Sequence, residues 1–235
     1  MYKDKKILGF IPARGGSKRL PRKNILPIAG KPLIAWTIEQ VKNSKYIDKL
    51  IVSTDDEEIA SISKEYGAEV PFMRPYDLAV DSAKGIDAVF HALKWFENRE
   101  QKFDILVSLQ PTSPLRRVED IDNSIEMLID KDAKSIISVC ETEHHPLWAN
   151  ILSPDGSMKD FIGEDIINKN RQELPIYYRI NGAVYVAYCG YLMKWKSFLG
   201  SETFAYIMPH ERSIDIDSSI DLKFAEFLLQ NNICV

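Results

Sequence analysis

The sequence predicts an α/β fold in which helices cover both faces of a mainly parallel sheet. Three continuous apolar runs, at residues 6–13, 49–53 and 104–110, are typical of strands buried on both faces. Each run is followed by a segment with helical apolar spacing, and this alternation favours parallel strands joined by right-handed crossovers. The length of 235 residues fits one domain.

The other elements follow in chain order. We predict helices over residues 32–42, 56–66, 84–97, 118–129 and 219–231, strands over 135–140 and 183–188, and edge-like strands over 207–217. Residues 141–180 interrupt the alternation with scattered prolines, glycines and acids and show no helical period. We interpret them as an extension of a single domain 1–235 that serves as a dimerisation arm or a substrate lid.

Composition excludes several classes of function. The net charge of −4 argues against a general nucleic-acid binder, which needs an excess of cations for phosphate contacts. No apolar run approaches the roughly 20 residues that a membrane-spanning helix needs, so we expect no membrane association. Three cysteines without metal-ligand spacing, and no leader pattern at the start, indicate a protein of the cytoplasm.

Positive charge is concentrated near the start of the chain. Residues 5–38 contain eight lysines and arginines and no aspartate or glutamate, although the whole chain is acidic. This distribution predicts a small anionic ligand at the basic segment. A solvated basic face explains the charge pattern equally well, and charge alone leaves that alternative open.

A basic loop, residues 14–24, follows the first predicted strand. It contains two adjacent glycines, which let the backbone approach a ligand closely, together with arginines and lysines suited to phosphate oxygens. The loop has neither the Gly-Lys-Ser/Thr ending of a Walker loop nor the spaced glycines of a dinucleotide fingerprint. It therefore predicts a triphosphate cradle of another kind, at the carboxyl end of a strand where ligands of parallel sheets bind.

Near the end of the chain, residues 214–217 alternate isoleucine and aspartate. On a strand, Asp215 and Asp217 would face the same way while Ile214 and Ile216 enter the core. Two carboxylates on one face suit Mg²⁺, which combines one or two carboxylates with phosphate oxygens and water. An ordinary edge strand, with Asp217 capping the next helix, remains an alternative.

Four runs in the same order resemble the acylneuraminate cytidylyltransferases, the CMP-sialic acid synthetases and their legionaminic and pseudaminic acid relatives. The runs are Ile11 to Asn24, Gln110 to Arg116, Arg171 to Tyr185 and Arg212 to Asp217. The resemblance covers nearly the whole chain. It implies a Rossmann-like nucleotidyltransferase fold, a homodimer, and an enzyme that joins CMP from CTP to a nine-carbon sugar acid with release of pyrophosphate.

The resemblance also implies roles for individual residues. Arg14 and Lys23 would act in catalysis by holding the triphosphate, with Lys18 beside them, and Asn24, Arg74 and Ser82 would contact the nucleotide. Gln110, Arg171, Arg179, Asn181 and Tyr185 would bind the sugar acid, with Arg179 on its carboxylate and Arg171 near the phosphates. Asp215 and Asp217 would hold Mg²⁺ and share in catalysis.

One position departs from the pattern. Trp148 stands where some sialic acid synthetases carry a substrate-contacting lysine, which keeps legionaminate-type acids beside N-acetylneuraminate as expected substrates. Two other functions compete with cytidylyl transfer. One is a glycosyltransferase that uses Asp215-Ile216-Asp217 as its metal motif, and the other is a nucleotide sensor without catalysis.

Overall fold

The computed structural model describes residues 2–231 and 233. A six-stranded sheet contains β1 (Ile7–Pro12), β4 (Lys49–Ser53), β5 (Ile105–Ser108), β6 (Ser135–Glu141), β7 (Tyr178–Tyr188) and β8 (Thr203–Ile207), and a short hairpin contains β2 (Pro27–Ile28) and β3 (Lys31–Pro32). The α-helices are α1 (Leu33–Lys42), α2 (Glu57–Glu65), α3 (Gly85–Glu97), α4 (Val118–Asp130), α5 (Cys189–Trp195) and α6 (Ser219–Gln230). These bounds lie close to those predicted for the first 140 residues.

The strand order of the large sheet is β4-β1-β5-β7-β6-β8. All neighbours are parallel except β7, which runs antiparallel to both β5 and β6. The prediction of a mainly parallel sheet is confirmed. From β1 the chain moves outward to β4 and then returns to place β5 on the other side of β1. The carboxyl ends of β1 and β5 therefore border the crevice where ligands of such sheets bind.

Helices cover both faces of the sheet, as predicted. Buried residues of α1, α2 and α4 pack on one face, in a cluster that includes Ile38, Ile59 and Ile125. The other face is covered by α3 and α5, through residues such as Phe96 and Leu192. A third cluster joins α6 to the short hairpin and to Ile216. Burial on both faces explains why the central strands read as continuous apolar runs.

The second half of the sequence was predicted less well. Strand β7 begins five residues earlier than expected, because its first residues pair with Val139 to Glu141 beyond a register shift in β6. The predicted strands over 207–217 are wrong: β8 ends at Ile207, and a 3₁₀ helix, His210–Arg212, follows. Pro209 has no N–H for a sheet hydrogen bond, which is consistent with strand pairing ending before it. Helix α5 was missed.

The segment between β6 and β7 lacks α-helix and strand, as its composition suggests. His145 fastens its two ends: the imidazole Nε2 lies 2.9 Å from the Pro175 carbonyl oxygen, and Leu147 donates its N–H to Nδ1 at 3.2 Å. Trp148 and Tyr177 pack their rings against the imidazole. The segment exposes several large apolar side chains, and its role in dimerisation stays a prediction. Among the described helices, none is long and apolar enough to cross a membrane.

A fully buried carboxylate joins α4 to the end of the sheet. Asp120 accepts hydrogen bonds from Arg212 Nη2 at 2.8 Å and Nε at 3.2 Å, from the Tyr206 hydroxyl at 3.2 Å and from the Arg117 N–H at 2.9 Å. A buried charge is tolerated only when it is paired and hydrogen-bonded in this way. The network fixes the 3₁₀ helix that precedes residues 213–217.

We predict that Asp120→Ala lowers the free energy of unfolding by about 3–5 kcal/mol, because it leaves the largely buried guanidinium of Arg212 without its counter-ion. Urea denaturation measures the loss. Asp130→Ala is the matched control on the same helix, since Asp130 forms an exposed ion pair with Lys3, and its midpoint should hardly change. Equal losses in the two variants would contradict this account of the network.

Candidate functional site

A cavity of about 330 Å³ opens at the carboxyl ends of β1 and β5. Its walls come from the basic loop after β1, from the loop that leads into α3 and from the loop after β5. The predicted site residues among its lining are Arg14, Lys23, Asn24, Arg74 and Gln110. The fold thus brings together groups from distant parts of the sequence at the place where the sheet topology predicts a ligand.

The shape of the basic loop is fixed by contacts that leave its cations projecting. Asn24 is buried and donates from Nδ2 to the Arg14 carbonyl oxygen at 3.0 Å. Gly15 donates its N–H to Asp55 Oδ1 at 2.9 Å, and a Cβ at Gly15 would lie 2.8 Å from Asp56 Oδ2. A side chain at position 15 would therefore push the loop away from the residues after β4. Asn24 shapes the cradle as well as lining it.

Each cation of the loop meets a carboxylate from another element. Arg14 Nη1 and Lys18 Nζ bind the two oxygens of Asp81 at 3.0 and 2.5 Å. Lys23 Nζ donates to Asp217 Oδ1 at 2.9 Å and to the Ile216 carbonyl oxygen at 2.7 Å. The hydrogen bond from Lys18, followed by the charges of both cations, lowers the pKa of Asp81. An anionic carboxylate thus occupies the position between two cations that a phosphate group suits.

Arg74 forms the buried wall of the cavity. Its Nε donates to Ser53 Oγ at 3.0 Å and its Nη2 to the Ser53 carbonyl oxygen at 2.5 Å. Burial lowers the pKa of the guanidinium to about 10, so it stays charged at neutral pH. Ser82 is exposed, and its neighbours Asp81 and Ala83 line the cavity, which places the side chain at the rim.

The two aspartates lie on an extended segment that is outside any strand. The Ile216 N–H donates to the Thr112 carbonyl oxygen at 2.9 Å, which ties the segment to the loop after β5. Ile216 is buried against α6, as the alternation predicts. The alternative in which Asp217 caps the helix is wrong, because Ser218 caps α6 in a reciprocal arrangement with Asp221. The cap of α6 therefore does not use the Asp217 side chain, which pairs instead with Lys23.

Asp215 carries an unsatisfied acceptor. Within residues 2–231 and 233, its Oδ1 atom is buried and has no hydrogen-bond partner. Burial, together with the charge of Asp217, raises the pKa of this carboxyl group, while Thr112, Lys23 and Arg179 act in the opposite direction. A buried carboxylate oxygen without a partner is costly, and such atoms in native proteins call for a ligand or ion.

Asp215 and Asp217 fit a magnesium ion whose remaining ligands are phosphate oxygens and water. No group of three or more metal-binding side chains occurs in the described part of the chain. Asp215 and Asp217 alone supply two carboxylates, and Mg²⁺ typically binds proteins through one or two carboxylates while phosphate oxygens and water complete its octahedron. The orphaned oxygen of Asp215 supports this assignment.

Gln110 follows β5, and Tyr185 lies on the neighbouring strand β7. Gly182 has φ +77°, and a Cβ there would lie 2.9 Å from Gln110 Oε1, so glycine is required for this close approach. Tyr185 pairs with Ser108 across the sheet and packs its ring on Phe198, with centroids 5.4 Å apart. Burial and then the charge of Asp215 raise the pKa of Tyr185. Both side chains border the predicted sugar-acid side of the site.

Asn181 lies inside the fold. Its Oδ1 accepts from Ser138 Oγ at 2.6 Å and its Nδ2 donates to Ser213 Oγ at 2.9 Å, and the side chain is 2% exposed. Both ends of the amide are therefore used to join β6, β7 and the segment that carries Asp215. This geometry favours a structural role over the expected contact with a ligand hydroxyl.

The two predicted sugar-acid arginines converge on Glu143, just after β6. Arg179 donates from Nε and Nη2 to the Glu143 carboxylate at 3.1 and 2.5 Å, and Arg171 donates from Nη1 to the Glu143 carbonyl oxygen at 3.1 Å. The other contacts of Arg171 are with Thr142 and Glu141. The structure thus places Arg171 beside Arg179, whereas its expected neighbours were the phosphates.

Sequence reasoning assigned no role to Arg116 or Glu143, and it did not anticipate Asp81 as the partner of Arg14 and Lys18. Arg116 is fully buried and donates to the Ala183 carbonyl oxygen at 2.6 Å and the Gln110 carbonyl oxygen at 3.4 Å. Burial lowers its pKa to about 9. Its position at the end of the Gln-Pro-Thr-Ser-Pro-Leu-Arg run was a signal for it. Nothing local in the sequence pairs Asp81 or Glu143 with their arginines.

Comparison with known proteins adds independent information. A family model described as cytidylyltransferase matches residues 8–235. A CMP-N,N′-diacetyllegionaminic acid synthase of Legionella pneumophila is 38% identical over 232 residues, which cover 97% of each chain. A pseudaminic acid cytidylyltransferase of Campylobacter jejuni is 34% identical over 227 residues, again 97% of each. An N-acylneuraminate cytidylyltransferase of Escherichia coli is 35% identical over 94% of this chain and 51% of its own length.

Solved structures share the fold. A CMP:2-keto-3-deoxy-manno-octonic acid synthetase complexed with CTP superposes with a TM-score of 0.70 at 19% identity, covering 97% of this chain and 99% of the other. A 4-diphosphocytidyl-2C-methyl-D-erythritol synthase from Anaerococcus prevotii gives a TM-score of 0.63 at 17% identity, with 96% of each chain covered. The α/β architecture is thus that of known nucleotidyltransferases.

We predict that Asp215→Asn stabilises the metal-free protein by on the order of 1 kcal/mol, because it removes a buried carboxylate charge whose Oδ1 has no partner. Because the pKa of Asp215 is raised in the folded state, its charged carboxylate lowers the stability of the wild type at pH values above that raised pKa. This loss of stability disappears as the pH falls below 3.8, the ordinary pKa of the group, where the carboxyl is protonated in both states. Urea denaturation at several pH values with a chelator measures the effect.

Asp217→Asn is the matched control, since Asp217 is half exposed and paired with Lys23. It should give no gain in stability. A loss of stability in Asp215→Asn at neutral pH would contradict the assignment of an uncompensated carboxylate.

Proposed function

This chain belongs to the cytidylyltransferase family, and on that premise we propose that it transfers CMP from CTP to a nine-carbon sugar acid and releases pyrophosphate. The observation that carries the proposal is a cavity beyond the ends of β1 and β5 that the basic loop lines. Its residue Lys23 binds Asp217, and Asp215 lies within electrostatic reach of Lys23 and Arg179. These are the groups that a triphosphate, a divalent cation and a carboxylate ligand each require.

The basic loop is the proposed triphosphate site. Arg14 and Lys18 offer two adjacent cations now paired with Asp81, and Lys23 offers a third, paired with Asp217. When CTP binds, its phosphate oxygens replace these carboxylates as partners. Arg74 lines the same cavity and Ser82 lies at its rim, and both would contact the cytidine. Charge neutralisation of the departing pyrophosphate is the main catalytic contribution of Arg14 and Lys23.

Asp215 and Asp217 would hold Mg²⁺ in the working enzyme. When bound, the ion would offset negative charge on the α-phosphate during transfer. The protein contributes the geometry: the hydrogen bond from Ile216 to Thr112 and the capped start of α6 hold the segment on both sides of the aspartates.

The sugar acid is proposed to bind between Gln110, Tyr185 and the arginines beside Glu143. Arg179 supplies guanidinium N–H donors for the carboxylate, and Arg171 adds positive charge nearby. In this position the anomeric hydroxyl attacks the α-phosphorus, the new O–P bond forms, and the bond to the β-phosphate oxygen breaks. The hydroxyl proton leaves to solvent. Positioning and electrostatics account for the rate.

Several finer features belong to the same proposal. We propose a homodimer joined through residues 141–180, whose exposed apolar side chains include Ile151, Met158 and Ile167. We also propose a cytoplasmic location, since CTP is an intracellular metabolite. Trp148 is 39% exposed and stacks near His145, so it presents an apolar ring to an acetamido or methyl group. Family membership favours cytidylyl transfer over the glycosyltransferase and sensor alternatives.

The activity is tested by pyrophosphate release with CTP, Mg²⁺ and a panel of N-acetylneuraminate, diacetyllegionaminate, pseudaminate and an eight-carbon acid, 3-deoxy-manno-octulosonate. We expect release with a nine-carbon acid and at least 100-fold lower kcat/KM with the eight-carbon acid. The rate of pyrophosphate release, measured as a function of the concentration of each acid, gives the kcat/KM values to compare. Release with the eight-carbon acid alone, or with none of the four, would contradict the proposed function.

The metal assignment is tested with Asp215→Asn, which we expect to lower kcat by at least 1,000-fold while the protein stays folded. In the wild type, Mg²⁺ added with CTP should raise the melting temperature beyond the effect of CTP alone, since ligands of the native state stabilise it. The variant should lack this additional rise, and Asp130→Ala should keep it. An unchanged rise in Asp215→Asn would remove this aspartate from the metal site.

A further inference from the structure

Glu143 binds three basic side chains on the proposed sugar-acid side of the site. It follows β6 by two residues and its side chain is 38% exposed. Its carboxylate accepts both hydrogen bonds of the Arg179 fork, at 3.1 and 2.5 Å, and one from His210 Nε2 at 2.6 Å. Its carbonyl oxygen accepts from Arg171 Nη1 at 3.1 Å. Three basic side chains from three elements meet at one residue.

The pairing determines which atoms of Arg179 remain for a ligand. Nε and Nη2 bind Glu143, and Nη2 also reaches the Ser213 carbonyl oxygen at 3.3 Å. Among residues 2–231 and 233, no acceptor is bonded to Nη1. A guanidinium held along one edge keeps its plane fixed and retains the donors of the other nitrogen.

The network also connects the sugar-acid side to the aspartate segment. His210 and Ser213 both lie shortly before Asp215, and both contact the Arg179–Glu143 pair. Asp215 is close enough to Arg179 for each charge to shift the pKa of the other group. A change in the position of Arg179 would therefore alter both the proposed sugar-acid site and the surroundings of Asp215.

Two arrangements are conceivable for an acid ligand: it displaces Glu143 from Arg179, or it binds beside the intact pair. Glu143 accepts three side-chain hydrogen bonds. Those from Arg179 are the largest cause of a pKa lowered to about 2, and the bonds from its own backbone N–H and from His210 add to the shift. A carboxylate held by three hydrogen bonds is better suited to fixing the Arg179 guanidinium than to being displaced from it by a ligand. The intact pair also keeps the bond from His210 to the same carboxylate, which displacement would break.

We propose that Glu143 is a positioning residue that fixes the Arg179 guanidinium so that its free nitrogen binds the carboxylate of the sugar acid. The inference deepens the proposed function and rests on it. Glu143 touches neither substrate nor metal in this account and acts through Arg179. Supporting residues of this kind typically change activity or affinity by about 10- to 100-fold when replaced.

The test is Glu143→Gln, which keeps the shape but turns an amide N–H₂ toward the donors of Arg179. We expect KM for the preferred acid of the panel to rise roughly 10- to 100-fold, while KM for CTP changes less than about twofold. Glu69→Gln is the matched control: it also removes the carboxylate of an ion pair, that with Lys49 at 2.7 Å, and it lies outside the site. Its KM for the acid should stay near the wild-type value.

A second measurement separates positioning from a general structural role. Calorimetry with CTP present compares binding of the acid with that of its methyl ester, which lacks the carboxylate charge. Glu143→Gln should weaken binding of the acid and leave binding of the ester unchanged. In Arg179→Met, adding Glu143→Gln should cause no further loss, because the two residues act as one unit.

An unchanged or lower KM for the acid in Glu143→Gln would overturn the proposal, and a lower value would indicate displacement. Equal weakening of acid and ester would overturn it in favour of a purely structural role. Failure of the proposed function looks different: the wild type would then release no pyrophosphate with any acid of the panel. That result would overturn the role of Glu143 as well.

Discussion

The folded chain has to balance a block of positive charge that contains no acid of its own. Residues 5–38 carry eight cations, and the carboxylates that meet the loop among them come from much later in the sequence. Asp56, Asp81 and Asp217 supply partners to Arg22, Arg14 and Lys23. The sheet places the ends of β1, β4 and β5 side by side. This arrangement, with residues 213–217 beside it, brings the carboxylates within bonding distance of the loop cations.

The same arrangement creates the chemistry. Carboxylates that neutralise the loop cations in the free protein occupy positions that, in the proposed function, a triphosphate takes over, so these cations stay paired when the ligand binds. Asp215 is the exception, because its buried Oδ1 has no partner among the described residues. The fold tolerates this cost through the Asp120–Arg212 network just upstream and the anchored Ile216 just downstream. Such an unsatisfied group is typical of a site kept ready for a ligand.

The sequence predicted those elements whose burial pattern is visible in their own residues. Apolar runs and helical periods located β1, β4, β5 and α1 to α4 closely, because burial on one or both faces leaves a direct imprint on the pattern. The order of basic loop, glutamine run and aspartate pair indicated the site. Pairings that depend on the assembled sheet were out of reach: the antiparallel direction of β7, the Glu143–Arg179 fork, and the internal amide contacts of Asn181 all join residues over 30 positions apart. The error over 207–217 has the same origin, since alternation there reflects one buried isoleucine beside two exposed or half-buried aspartates and no strand partner.

Transfer of the labelled α-phosphate of CTP to the sugar acid tests the central claim most directly. With CTP labelled at that phosphate, a nine-carbon acid and Mg²⁺, the account predicts that the label appears in a sugar nucleotide that contains one phosphate, in equal amount to the pyrophosphate formed. Label that remains in CTP, or that appears as free CMP while the acid is recovered unchanged, would contradict the account.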